Sequence, residues 1–248
     1  MLFKYRNYSK TYTHKRIWLH YRDCVVNNCN AVKLVRKSSS QSLVVAVSCA
    51  KAPAPWNPSM GIRPGTCDHY ECPTYNLAEA GYGYEIRVYD SAVWMSTAPI
   101  PAPSMTQATK TGFQRLFSYI QEDNKSKTKM NMTAPVITQA TPGKSVLYMY
   151  TVSFYLPKKN QQNPPLADDL HVQPWKPTHV AVRQFGGYVT DDAAKKEAAA
   201  LMASLKGTEW SVSIEKSKGK SPDYLVADYN PPFQTTDRVN EILVPFNM

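Results

Sequence analysis

The stretch YEIRVY, which begins at Tyr84, alternates between two kinds of side chain and therefore predicts a β-strand. Tyr84, Ile86 and Val88 would lie on one face of the strand, and Glu85 and Arg87 on the other. A strand with one apolar face has to bury that face against another layer. The strand continues through DSAVWMST, and we predict it over 84–97.

The elements that follow repeat in one order. A helix begins where Ser104 and Gln107 have the spacing of a capping box, and its apolar stripe recurs at i, i+3, i+4 and i+7. Strands are predicted next, over 129–138 and 145–157. The stripe comprises Phe113, Leu116, Phe117 and Ile120.

The second half begins with a predicted strand over 178–189, and Thr190 then caps a helix that Gly207 ends. We predict three more strands, over 209–217, 224–229 and 240–246. The order β-α-β-β thus spans about 84–157 and again 172–247. Two helices among short-turn strands predict an α+β fold built on antiparallel sheet. Neither a G-x-G-x-x-G motif nor a P-loop points to a parallel nucleotide-binding fold.

The net charge of +10 lies almost entirely in residues 1–40, which carry +8. Basicity therefore belongs to an N-terminal leader, and with no zinc finger, basic zipper or RNA-recognition motif we expect no nucleic-acid partner. The leader is compatible with a transit peptide, with a weak secretory signal beginning near residue 35, or with a disordered or wrongly assigned start. Cytoplasmic, secreted and organellar locations all stay open. No apolar run is long enough to span a membrane.

The proline-rich segment 50–66 reads as a linker, so we divide the chain into a leader and linker, 1–66, and a folded domain, 67–248. At the start of that domain, CDHYEC places Cys67 and Cys72 on either side of His69. A local disulfide is expected in a secreted protein and two free thiols in a cytosolic one. A structural zinc site would need a second pair of ligands, which the sequence lacks.

Six segments occur in the order and spacing of the SOUL/haem-binding protein family, which the chain resembles over about residues 67–248. They are GYEIRVYDSAVWMST, TGFQRLFSYIQ, KMNMTAPVIT, VSFYLPKKNQQNPP, VAVRQFGGYV and YNPPFQTTDRVNEI. CDHYECPTYNL is similar to the plant-type branch in particular. The resemblance implies a distorted antiparallel β-barrel flanked by two helices, with a pseudo-twofold β-α-β-β repeat. It also implies reversible binding of haem or protoporphyrin IX, in a carrier or buffer role.

In the vertebrate branch a His proposed as axial iron ligand follows the EIR of the first strand, and here Val88 stands at that position. The resemblance therefore implies binding without a His ligand, in an apolar cleft beside the first helix. When the family's cleft positions are carried over to this sequence residue by residue, the implied cleft comprises Lys110, Phe113, Phe117, Tyr229 and Phe233. Tyr229 is also the best remaining oxygen donor to the iron, and Gln234 replaces a basic residue of the family.

Lys125, Lys127 and Lys129 follow the first helix and are candidates to attract the haem propionates, or else form a solvated basic loop. Phe113 and Phe117 are equally compatible with core packing. Because no nucleophile-base motif or catalytic carboxylate pair occurs, we expect no enzyme. The alternatives are a protein-interaction module, with partners unknown, and a binder of another flat apolar molecule.

Overall fold

The computed structural model describes residues 32–35, 44–47, 63–141, 148–219 and 222–248. The chain forms two units, Met1–Trp56 and Asn57–Met248. In the first unit, β1 (Val32–Val35) pairs antiparallel with β2 (Val44–Val47). The expectations about a targeting leader, and most of the predicted linker, lie outside the described residues.

The second unit is one antiparallel sheet with helices against it. Along the sheet the hydrogen-bonded order is β3-β4-β10-β12-β11-β7-β8-β5-β9, and β6 adds to β8. The strands are β3 (Asn76–Gly81), β4 (Tyr84–Tyr89), β5 (Ala92–Thr97), β6 (Ile100–Ala102), β7 (Val136–Thr141), β8 (Tyr148–Tyr155), β9 (Leu170–Trp175), β10 (Thr178–Phe185), β11 (Leu225–Asp228) and β12 (Asn240–Phe246). The helices are α1 (Met105–Ile120), α2 (Lys158–Gln161), α3 (Asp191–Leu205) and α4 (Glu209–Ser217). The predicted α+β class with an antiparallel sheet is confirmed.

The sheet curls so that strands far apart in its order meet on one side, which we call the inner face. The rings of Tyr89 in β4 and Trp175 in β9, near opposite ends of the order, lie 5.8 Å apart. The ends β3 and β9 do not pair with each other in the described part of the chain. The sheet is therefore curled but not closed, whereas the resemblance implied a barrel.

Helices α1, α3 and α4 cover the opposite side, the outer face. α1 packs on β8, β6, β5 and β7, while α3 packs on β10, β12 and β4, and α4 on β12. The predicted caps are confirmed, since the Ser104 side chain accepts a hydrogen bond from the N–H of Gln107 and Thr190 accepts one from the N–H of Ala193. Each cap satisfies an N–H that the first helical turn leaves unpaired.

The predicted strand over 209–217 is wrong, because this segment is α4. Trp210 and Ile214 alternate with polar residues, which suggests a strand, but with Ser217 they also follow i, i+4 and i+7. These three residues are the buried ones, and Val212 is exposed. The Thr208 side chain caps the helix by accepting from the N–H of Ser211.

The predicted strand over 84–97 is also two strands rather than one. β4 ends at Tyr89 and β5 begins at Ala92, and the two are not neighbours in the sheet. β4 pairs with β10, and β5 pairs with β8 and β9. Asp90 and Ser91 therefore connect a strand near one end of the curled sheet to a strand near the other end.

Gly112 lets α1 approach β8 closely. A Cβ at this position would lie 2.4 Å from a methyl carbon of Val152, which is fully buried. Real non-bonded carbons do not approach so closely, so any side chain here would push the helix away from the sheet. Gly112 thereby sets the position of Phe113, the next residue.

We expect Gly112→Ala to lower the free energy of unfolding by roughly 1–2 kcal/mol. Alanine favours a helix by about 1 kcal/mol over glycine. Overpacking typically costs about 1–3 kcal/mol, and we take the upper part of that range because the added carbon would lie within 2.5 Å of both Cγ2 and Cβ of Val152. Urea unfolding followed by circular dichroism measures the difference. Ser118→Ala, at an exposed position of the same helix, is the control and should change stability by less than about 0.5 kcal/mol. Equal stability of the two variants would contradict the close approach.

Candidate functional site

An aromatic pair, Phe113 and Phe117, lies on one side of α1. The rings of Phe113 and Phe117 are stacked, with centroids 5.7 Å apart and planes 13° from parallel. Phe113 is half-buried and meets the edge of Phe154 in β8 at 5.3 Å, which anchors the pair to the core. Phe117 remains 43% exposed. The pair thus presents a supported aromatic surface to solvent.

Lys110 lies on the same side of α1, three residues before Phe113 and seven before Phe117. Its side chain is exposed. The structure therefore brings together three of the predicted cleft residues, one cation and two aromatic rings, on a single helix face.

The lysine-bearing loop after α1 is organised by the buried side chain of Asn124. Its amide nitrogen donates to the carbonyls of Tyr119 and Thr128 at 2.9 and 2.8 Å, and its amide oxygen accepts from the N–H of Thr128 at 3.0 Å. Lys125, Lys127 and Lys129 project from this loop and are all exposed. The loop holds three cations close to the end of α1.

A groove of about 690 Å³ runs between α1, this loop and the segment 167–170. It falls within the range of roughly 300–1,000 Å³ that small-molecule sites occupy. Gln114 and Ser118 line it from the helix. Gln114 is three residues before Phe117 and is its neighbour on the helix surface, whereas Phe117 does not itself line the groove. The other lining residues include three basic and three acidic side chains, namely Arg115, Lys125, Lys127, Asp123, Asp168 and Asp169.

Of the three predicted lysines, only Lys125 forms an ion pair within the described part of the chain, with Asp168 at 2.5 Å. Both partners are well exposed, so the pair contributes little to stability and can exchange partners. Arg115 lines the groove as well, although sequence reasoning did not single it out. The one hint in the sequence was that Arg115 is a basic residue two positions before Phe117.

The structure does not bring Tyr229 and Phe233 to the α1 surface. Tyr229 is buried on the inner face of the sheet, in a cluster that excludes Phe113 and Phe117. Phe233 is 83% exposed in the turn after β11. Gln234, in the same turn, accepts a hydrogen bond from the Asn230 side chain and donates to the backbone carbonyl of Thr236.

On the inner face, Arg87 and Glu241 form a buried ion pair that sequence reasoning missed. Two guanidinium nitrogens of Arg87 donate to the two carboxylate oxygens of Glu241 at 2.8 and 3.0 Å, and its Nε donates to Glu85 at 2.8 Å. The Tyr229 hydroxyl donates to Glu241 at 2.7 Å, and the ring of Tyr75 lies 4.3 Å from the Arg87 guanidinium. Arg87 and Glu241 are completely buried.

The electrostatics hold Arg87 and Tyr229 each in one protonation state. Burial alone would lower the pKa of Arg87, but the charge and hydrogen bond of Glu241, together with Tyr89 and Tyr229, outweigh it, and the pKa lies well above its ordinary value. Burial raises the pKa of the Tyr229 hydroxyl well above its usual range, and the charge of Glu241 raises it further. Arg87 therefore stays charged and Tyr229 stays a neutral hydrogen-bond donor.

Val88 is half-buried and pairs across the sheet with His179 in β10. Directly paired residues of antiparallel strands project to the same face. His179 packs against Phe246 at 5.7 Å and Trp210 at 6.4 Å, under α4. Position 88 therefore belongs to the outer face beside α3 and α4, apart from the α1 surface.

The segment before β3 carries the cysteine pair. Cys67 and Cys72 are joined in a disulfide, and both are buried in the cluster of the inner face. Within the described residues, no group of three or more His, Cys, Asp and Glu side chains is arranged to hold a metal ion. No helix of that part of the chain has both the length and the hydrophobicity to cross a membrane.

Comparison with known proteins places these features in a family. A family model described as SOUL heme-binding protein matches residues 70–245. The chain belongs to the SOUL haem-binding protein family. Heme-binding protein 2 of Mus musculus is 31% identical over 194 residues, which cover 75% of this chain and 91% of the mouse protein. Heme-binding protein 2 of Homo sapiens is 34% identical over 163 residues, covering 64% of this chain and 76% of the human protein.

Among solved structures, the C-terminal domain of EcmrR is similar, with a TM-score of 0.45 and 11% sequence identity. The similarity covers 70% of this chain and 98% of that domain.

We expect Arg87→Met to lower the free energy of unfolding by about 3–5 kcal/mol, because it leaves the buried Glu241 carboxylate without its partner. Lys218→Met is the control, since Lys218 pairs with Glu215 at 2.7 Å but both side chains are more than half exposed. That change should cost no more than about 1 kcal/mol. Chemical unfolding of both variants gives the comparison, and similar losses would contradict the buried role of Arg87.

Proposed function

We propose that this member of the SOUL family binds haem or protoporphyrin IX reversibly, as a carrier or buffer rather than as an enzyme. The family match over residues 70–245 carries the proposal. The mouse and human relatives are both named as heme-binding proteins, and the chain covers most of each.

We place the tetrapyrrole on the α1 surface formed by Lys110, Phe113 and Phe117, where it continues into the groove. A porphyrin is a flat apolar disc, and the exposed ring of Phe117 offers it a stacking partner that Phe113 and Phe154 hold in place. Aromatic stacking contributes about 0.5–1.5 kcal/mol beyond the area buried. The groove of about 690 Å³, which Gln114 borders next to Phe117, is large enough for part of the ligand.

The polar edge of the ligand, which carries two propionates, would face the loop organised by Asn124. Arg115, Lys125 and Lys127 line the groove there, and Lys129 extends the basic loop. Because three aspartates line the same groove, the field is balanced rather than strongly positive. Propionate binding would then depend on individual cation–carboxylate contacts, with Lys125 exchanging Asp168 for a propionate.

The arrangement favours apolar contact over iron ligation. Val88 replaces the proposed His ligand, and Tyr229 is hydrogen-bonded to Glu241 with a raised pKa, which disfavours the tyrosinate that iron would need. These surroundings argue against Tyr229 as an axial ligand, and that role stays a prediction. The same reasoning predicts that metal-free protoporphyrin binds about as well as haem.

Two finer assignments accompany this proposal. The sheet contains two groups of three strands, β5-β8-β7 and β10-β12-β11, which join at the β7–β11 pair. Along the chain, each group has a helix after its first strand. This arrangement supports a pseudo-twofold repeat and a barrel-derived sheet. The Cys67–Cys72 disulfide lies in the block that resembles the plant-type branch, and we propose membership of that branch.

Titration of the full chain with haemin and with protoporphyrin IX should give saturable absorbance or fluorescence changes at micromolar ligand. We expect Phe117→Ser to weaken the binding of both ligands by about tenfold, because it removes the stacking surface. Val212→Ser is the control, since Val212 is an exposed apolar residue of a different helix. An unchanged affinity in Phe117→Ser would refute the site, and the lack of saturation with either ligand would refute the function.

We expect Tyr229→Phe to leave the haemin absorption spectrum unchanged while lowering the free energy of unfolding by about 1–2 kcal/mol, through the lost bond to Glu241. Spectra and unfolding curves of the same preparation separate the two effects. Tyr70→Phe, an exposed tyrosine, should change neither. A shifted Soret band in Tyr229→Phe would show that this hydroxyl does reach the iron.

A further inference from the structure

A second cavity lies on the inner face of the sheet, away from α1. It measures about 220 Å³ and is lined by side chains of β5, β7, β8, β9, β11 and β12. We propose that it is a separate binding site for a flat aromatic carboxylate of one or two fused rings.

The floor of the cavity is apolar and aromatic. Trp94 and Leu225 are buried there, from strands on opposite sides of the curled sheet. Trp175 forms a wall, and its ring lies 5.2 Å from that of Trp94 at an angle of 39°. Two tilted indoles facing an aliphatic side chain make a slot that suits a planar ring.

One wall carries hydrogen-bond donors. The hydroxyl of Ser96 donates to the Gln173 side-chain oxygen at 2.9 Å, and the Ser96 and Ser153 oxygens lie 2.8 Å apart. Ser96 has a single proton, so Ser153 is the donor in the second bond. Gln173 therefore keeps both amide N–H groups for a ligand, and it lines the cavity together with Ser153.

The charge around the cavity favours an anion. Lys176 is exposed in the turn after β9 and lines the cavity, and no described lining residue is acidic. An amide N–H pair inside and an ammonium group at the opening are suited to a carboxylate oxygen. A cation would find no carboxylate partner among the described lining residues.

The volume limits the size of the occupant. A cavity of about 150 Å³ holds a benzene ring in other proteins. The 220 Å³ here admits one or two fused rings but is smaller than drug-sized sites, so it excludes a tetrapyrrole. The site is therefore independent of the proposed haem function.

The probe is 2-naphthoate, titrated into the full chain by isothermal calorimetry. We expect saturable binding with a dissociation constant below about 1 mM, the range for a ligand of this size. Two isosteric probes test the charge, and the ammonium analogue, 2-naphthylmethylamine, should bind at least about tenfold more weakly. The neutral 2-naphthylmethanol should fall between them.

Variants locate the probe. Gln173→Leu should weaken the binding of 2-naphthoate by about tenfold. Lys176→Ala, at an exposed position, should weaken it by about threefold to fivefold. The control Lys195→Ala removes an exposed charge on α3 and should have no effect. Saturating haemin and Phe117→Ser should both leave the affinity within twofold.

Three results would overturn the proposal: no binding at 1 mM, equal binding of the ammonium analogue, or displacement by haemin. The last would place the probe on the α1 surface. Loss of haem binding in itself would leave this site unaffected, so failures of the two proposals are distinguishable.

Discussion

The Arg87–Glu241 ion pair is enclosed on the inner face of the sheet, where neither side chain has any exposed surface. It connects β4 to β12 across the intervening strand β10. A charge buried in this way persists only with complementary partners, which Glu85 and Tyr229 complete. The curvature of the sheet keeps this polar network enclosed. If the sheet flattened, the charges of Arg87 and Glu241 would be exposed or would lose their partners.

This enclosure gives the two faces of the sheet different roles. The inner face combines the ion-pair network with the small aromatic cavity, and the disulfide of the N-terminal segment packs against the same cluster. The outer face is covered by helices, and there Phe117 remains accessible at its edge. A ligand as large as a porphyrin can reach the outer surface of α1 without opening the sheet, whereas the inner cavity admits only a much smaller molecule.

Much of the fold could be predicted from local patterns. The caps at Ser104 and Thr190 and the apolar stripe of α1 are local signals, and the structure confirms both caps. The prediction for segment 209–217 was wrong because, over only nine residues, the positions of Trp210 and Ile214 fit the spacing of a helix as well as that of a strand. Only tertiary packing, which leaves Val212 exposed, distinguishes them.

The site shows the same limit. That Phe113 and Phe117 share one face of α1 was predictable from their helical spacing, whereas their place in a cleft came from the family resemblance and stays a prediction. Tyr229 was not, because whether a tyrosine lies on the inner or the outer face depends on how the sheet curls. Alternation correctly separated Glu85 and Arg87 from the apolar face of β4, but it could not show that this polar face is itself enclosed. A charged pair split between residues 87 and 241 has no local sequence signal.

The central claim is that the tetrapyrrole lies on the outer surface of α1 and not inside the sheet. Paramagnetic broadening of backbone amide signals by haemin, compared with metal-free protoporphyrin as the diamagnetic reference, tests it most directly. The account predicts strongest broadening along Lys110–Ile120 and the loop 123–129, with signals around Glu241 and Trp94 preserved. Strongest broadening at Glu241, Tyr229 or Trp94 would contradict it.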